Sequence, residues 1–219
     1  MSQMLALTLA AASFVGTHFL MSHPLRRPMV ERMGEGPFRG VYTLVSFATF
    51  GLTIWIYYAL GRQQPLWVVG EAGWIAATLL MWLGSILFAG SFLGNPALPG
   101  ARGPKGRTAS GVMAITRHPM MWGFALWAIV HVIMVATPKA LILDASILFL
   151  ALVGSMMQDR KKEALMGADW HDWTVQTAFF PFARGLRNPG LFAFAAGTAL
   201  FLIATWLHPF PVGLWYWLT

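Results

Sequence analysis

Apolar residues run along this chain in long blocks instead of alternating with polar ones. A bilayer core of about 30 Å takes about 20 apolar residues of helix. Six blocks fit that length: residues 4–22, 40–60, 73–92, 119–136, 140–157 and 191–207. The pattern predicts an all-α fold, a polytopic transmembrane bundle of about six helices, occupying 1–219 as a single membrane domain. Only Thr137, Pro138 and Lys139 separate the fourth block from the fifth, so those two form a tight helical hairpin. Loop 95–111 is rich in Gly and Pro, and reads either as a connector or as a lid over a site on its own face. Loop 159–189 is too long for a turn, and a short interfacial helix is expected at about 160–175. The aromatic stretch 215–218 suits the membrane interface.

Charge orients these blocks. Of 15 Lys and Arg residues, only Arg62 and Lys139 lie in the second and fourth loops. The other thirteen are Arg26, Arg27, Arg32, Arg39, Arg102, Lys105, Arg107, Arg117, Arg160, Lys161, Lys162, Arg184 and Arg187, in the first, third and fifth. The basic face should be cytoplasmic, which puts both termini on the periplasmic side of a bacterial inner membrane. The same asymmetry accounts for the formal charge of +7 without nucleic acid, and makes membrane lipids with anionic headgroups the expected partners. Charged residues make up only 11% of the chain, against roughly 25% in soluble domains. No basic residue precedes the first apolar block, so residues 1–21 read as a retained helix and not as a cleaved signal. Absence of cysteine excludes disulfides, thiolate chemistry and cysteine-ligated metal.

Of six histidines, His18 and His131 fall inside apolar blocks. An intramembrane histidine is costly and usually faces a bundle interior or a cavity. Each fits an interhelical hydrogen bond, but two on different helices also fit a metal or haem site. His118 belongs to Thr116-Arg-His-Pro119, where proline suits the first helical position. Arg117 and His118 read either as polar residues at a helix start or as a grip on an anionic cofactor group, at the cytoplasmic mouth of a cavity closed by loop 95–111. Gly84, Ser85, Ala89, Gly90, Ser91 and Gly94 in the third block suit close helix approach, or a flat ligand against the same surface.

These residues carry a family resemblance. The whole chain resembles the NnrU family of bacterial membrane proteins, through residues 18–27, Arg39-Gly-Val-Tyr-Thr-Leu-Val-Ser46 and Thr116-Arg-His-Pro-Met-Met-Trp-Gly123 on to His131. A plant and cyanobacterial relative of that family is 15-cis-zeta-carotene isomerase, a haem-dependent membrane enzyme. The resemblance implies haem b held by two metal-ligating histidines, here His18 and His131, with Arg117 and His118 as further cofactor-binding residues. It implies a cis-trans isomerase or redox enzyme acting on a lipophilic small-molecule substrate, linked to denitrification and nitric oxide metabolism. The isomerase has a cysteine three residues before its second histidine, where this chain has Ala128. At about 1.5 Å per residue the two histidines differ in depth by roughly 12 Å, which makes His118 a reserve ligand. A second resemblance is to isoprenylcysteine and phospholipid methyltransferases, through Arg117-His-Pro-Met-Met-Trp-Gly123, Glu163, Gly167-Ala-Asp-Trp170-His-Asp-Trp173 and Pro181. Met121, Lys162, Trp170 and Trp173 replace that family's tyrosines and first glutamate. It implies an S-adenosylmethionine site at Arg117 and His118. A third reading is a non-enzymatic accessory factor with a membrane protein partner in a respiratory complex.

Overall fold

The computed structural model describes residues 2–98, 101 and 103–218. Arg102 of the basic third loop lies outside the described residues. Among them the chain is helical without strands. The helices are α1 Gln3–Ser22, α2 Arg26–Met33, α3 Glu35–Ala59, α4 Glu71–Gly90, α5 Val112–Ile115, α6 Pro119–Val135, α7 Pro138–Met166, α8 Ala168–Gln176, α9 Leu191–Trp206 and α10 Trp215–Leu218. Four of them, α1, α3, α4 and α7, are long and apolar enough to cross a membrane. α6 and α9 are equally apolar but have 17 and 16 residues. Each therefore covers about 25 Å, a little less than the hydrocarbon core.

Each apolar block of the sequence is a helix, and the differences lie at the ends. α3 starts at Glu35, well before residue 40. Pro37 sits in its first turn, where a missing N–H costs nothing, and Glu35 complements the helix dipole. α7 continues through the polar residues 158–166. Twenty residues from Pro138 reach Met157, so these last turns extend beyond the hydrocarbon core. The interfacial helix expected at 160–175 is two pieces: the end of α7, then α8 after a break at Gly167, whose φ of +53° favours glycine. α2, in the first loop, was not expected. Its Arg27 pairs with Glu31 at 2.8 Å, while Arg26 and Arg39 both reach Glu35 at 2.9 and 3.1 Å.

The fold divides into two compact units, Met1–Val68 with His131–Leu150, and Val69–Val130 with Ala151–Thr219. In the first, α1 packs on α3 through Phe14 and Phe50, whose rings are 5.1 Å apart. The carbonyl groups ending α3 are met by the buried Lys139, whose ammonium donates to Gly61 O at 2.6 Å and Tyr57 O at 3.2 Å. This explains one of the two basic residues on the minority face: Lys139 caps a helix C-terminus. Leu44, Phe47 and Trp55 of α3 are about 70% exposed, an apolar surface suited to hydrocarbon and not to water.

In the second unit α4 packs on α9, and small residues set the distance. A Cβ on Gly197 would meet the Ile86 backbone, 2.7 Å from its nitrogen; one on Gly90 would lie 2.6 Å from Ala193 Cβ. Gly84 and Gly123 bring α4 and α6 together in the same way. Trp170 and Trp173 of α8 are buried with Ile86, Leu87, Met113 and Ile115.

Candidate functional site

In the second unit α5 ends at Ile115 and α6 begins at Pro119, leaving Thr116, Arg117 and His118 as an extended link. Backbone bonds hold segment 178–182 against it. Arg117 N donates to Ala178 O at 2.9 Å, and Phe182 N to Ile115 O at 3.1 Å. Thr116 Oγ1 and Trp122 Nε1 both donate to Phe179 O, at 2.7 and 2.8 Å. The fixed link aims both side chains at α7. Arg117 Nε and Nη2 donate to Asp159 Oδ2 at 2.8 and 2.7 Å. His118 Nε2 meets Oδ1 at 2.8 Å, and Phe179 stacks edge-on to the imidazole.

The cluster is largely dry. The His118 side chain is fully buried, while Arg117 and Asp159 keep 15% and 18% of theirs exposed. Asp159 lies past the apolar part of α7. Burial opposes its ionisation, but the hydrogen bonds and charges of His118 and Arg117 prevail and hold its carboxyl below the ordinary range. A carboxylate accepts only, so Nε2 carries the hydrogen. His118 Nδ1 is buried with no partner among the described residues. Asp159 is the residue that sequence reasoning missed. Its one signal was being the first charge after the apolar block 140–157.

A cavity of about 490 Å³ does adjoin the third loop, between the end of α4 and the start of α9. Its walls include Gly94, Arg107, Ser110 and Trp173, but neither Arg117 nor His118. The expectation that this pair marks a cavity mouth is not met at this cavity, and both side chains turn to Asp159.

His18 and His131 lie in the first unit. His18 Nδ1 is 2.9 Å from Phe14 O, one turn back along α1, and its ring sits between those of Phe14 and Tyr42, at 4.6 and 5.4 Å. A carbonyl accepts only, so Nδ1 carries the hydrogen and Nε2 is the bare nitrogen of the neutral ring. His131 is half-buried on α6. Among the described residues no group of three or more His, Asp or Glu side chains converges as a metal site.

A family model described as NnrU protein matches residues 6–216, nearly the whole chain. No curated protein matches. No solved structure matches either.

Proposed function

The chain belongs to the NnrU family, and from that premise we propose that it is a six-span inner-membrane protein that binds haem b through His18 and His131. Support comes from one hydrogen bond. With Nδ1–H held by the Phe14 carbonyl, the His18 tautomer and ring orientation are fixed, and Nε2 is the atom left to meet iron. This is the arrangement that metal-ligating histidines use, and it fits the donor chemistry haem requires. Aromatic walls from Phe14 and Tyr42 suit a flat macrocycle beside it. His118 ranks behind as a ligand, because its ring is fully enclosed and tied to Asp159.

Bound haem would supply a redox-active iron for isomerisation or electron transfer on a lipophilic small molecule. The chain's own part is to fix the imidazoles and exclude water with apolar helices. A role in denitrification or nitric oxide metabolism goes with this reading. The thirteen-to-two distribution of basic residues supports periplasmic termini. The methyltransferase reading needs Arg117 and His118 for S-adenosylmethionine, and Asp159 already holds His118 Nε2 and two of the three guanidinium nitrogens of Arg117. That observation favours haem.

The test is the absorption spectrum of the detergent-purified protein after loading with haem b. A Soret band is expected, which His18→Ala and His131→Ala each abolish or shift and His208→Ala leaves alone. An unchanged spectrum in both of the first two variants refutes the ligand pair. Absence of any band, with S-adenosylmethionine binding by calorimetry, would favour the methyltransferase.

A further inference from the structure

We propose that Asp144 is a proton-binding site in the first unit, served by Tyr57 and exchanging its proton with the water at the α6–α7 turn. Asp144 lies in the second turn of α7, about 9 Å along the helix from its start. An acidic side chain so close to the end of a span can simply reach out to water. This one does not: it is 3% exposed, so it offers almost no surface to either water or lipid and is enclosed by protein.

The enclosure supplies no countercharge. Lys139, in the first turn of the same helix, donates its ammonium to Gly61 O and Tyr57 O and stands 4.3 Å over the Tyr57 ring. Neither an ion pair nor a hydrogen bond joins Asp144 to any described residue. Tyr57 of α3 is close enough for its phenol and the Asp144 carboxyl to interact electrostatically. The other titratable groups of the unit at this level are Tyr58, which is exposed, Arg62, exposed in the loop after α3, and the half-buried His131 of α6. α1 has no titratable side chain before His18, near its other end.

A carboxylate in this setting has lost its hydration and gained no donor, and an isolated charge in a dry interior is the costliest state of the side chain. Protonation removes the charge. The acid O–H can then donate to the carbonyl one turn back, as the hydroxyls of Ser146 and Ser155 do on the same helix, at 2.6 Å each. A metal cation would need several further oxygen ligands, and among the described residues no group of three or more His, Asp or Glu side chains converges. The proton is the ligand that fits. Tyr57 gives it a route, being half-buried and near both the carboxyl and the Lys139 ammonium. A hydroxyl both accepts and donates, so it can pass a proton inward without holding a charge. The balance is one O–H bond formed at the carboxylate for one broken in a water-borne acid.

Dicyclohexylcarbodiimide, an apolar reagent that adds to a carboxyl group in its protonated form, tests the site on the detergent-purified full chain, with peptide mass spectrometry as the readout. At pH 7 an ordinary aspartate, with a midpoint of about 3.9, is about 0.1% protonated. Asp144 should therefore label at least about tenfold faster than the exposed Glu31, and labelling should fall along a one-proton curve as pH rises. The infrared C=O band of the protonated acid, absent in Asp144→Asn, should titrate along the same curve without any need for reagent access. Tyr57→Phe should move the curve by about half a pH unit or more. Asp144→Asn, which keeps the shape of the uncharged acid, should fold with wild-type monodisperse yield. Exchanging choline chloride for sodium chloride should change nothing. The proposal is overturned if neither the adduct nor the acid band titrates between about pH 6 and 10. It is overturned equally if sodium protects Asp144, which assigns a metal cation, if Tyr57→Phe leaves the curve in place, or if Asp144→Asn fails to fold, which assigns a structural carboxylate.

Discussion

Replacing Asp159 by alanine should destabilise the chain more than removing any of its surface ion pairs. The substitution leaves the guanidinium of Arg117 and the Nε2–H of His118 without the one carboxylate that receives both. Removing one member of a buried pair typically costs about 3–5 kcal/mol, because the other charge stays desolvated. Exposures of 15% for Arg117 and 18% for Asp159 let some water in, so the lower end, about 3 kcal/mol, applies. At about 2–4 °C per kcal/mol in a chain of this size, Tm should fall by about 6–12 °C. The reference is Glu31→Ala, which breaks the Arg27 pair. Its partners are 88% and 61% exposed, and such pairs contribute about 0.5 kcal/mol or less. Thermal denaturation in detergent, read by loss of the monodisperse size-exclusion peak, makes the comparison. A double-mutant cycle with Arg117→Ala should show coupling, the double variant losing less than the two single losses combined. Equal Tm values for Asp159→Ala and Glu31→Ala, or strict additivity in the cycle, would refute the reasoning. The sign of the pH dependence follows from the lowered carboxyl. A depressed acid stabilises fully above its ordinary value of 3.8 and loses that contribution as pH falls through the folded value. The gap between wild type and Asp159→Ala should therefore hold from pH 7 to 5 and narrow only below about pH 4.

Other consequences are open to simple measurements. Gly197→Val drives a side chain into the Ile86 backbone, and should cost about 3 kcal/mol or prevent folding, read as lost monodisperse yield. Lys139→Met keeps the stem but removes the cap on α3, and should cost about 2 kcal/mol in thermal denaturation; an unchanged Tm would show that water replaces it freely. Because the chain has no cysteine, single-cysteine variants report topology directly. An impermeant thiol reagent applied from the periplasmic side should label Gln64→Cys and not Lys105→Cys, and the reverse pattern would invert the orientation.

What the sequence reveals depends on whether the cause is local. A run of twenty apolar residues needs no partner to be recognised, so α1 and α4 begin and end within about two residues of the hydrophobic blocks. Apolarity marks where a helix meets lipid, however, and not where the helix stops. α3 and α7 both outlast their apolar runs, because Glu35 and the Lys/Glu-rich end of α7 are good helix residues at solvated positions. α8 separates from α7 because Gly167 adopts a conformation other residues avoid. The same division holds for the sites. His18 is visible as an intramembrane histidine, and even its bond to Phe14 spans one helical turn, so it could have been anticipated from spacing. Arg117 and His118 are visible as a motif, but their acceptor lies 41 residues beyond His118 on another helix. Nothing in a single sequence pairs Asp159 with them, since any of eight acidic residues could have served. A residue's chemistry can be read from its type, but its unmet valence exists only in the fold. The polar groups left unpaired by packing, more than the motifs, are therefore where new binding sites in such a chain should be sought.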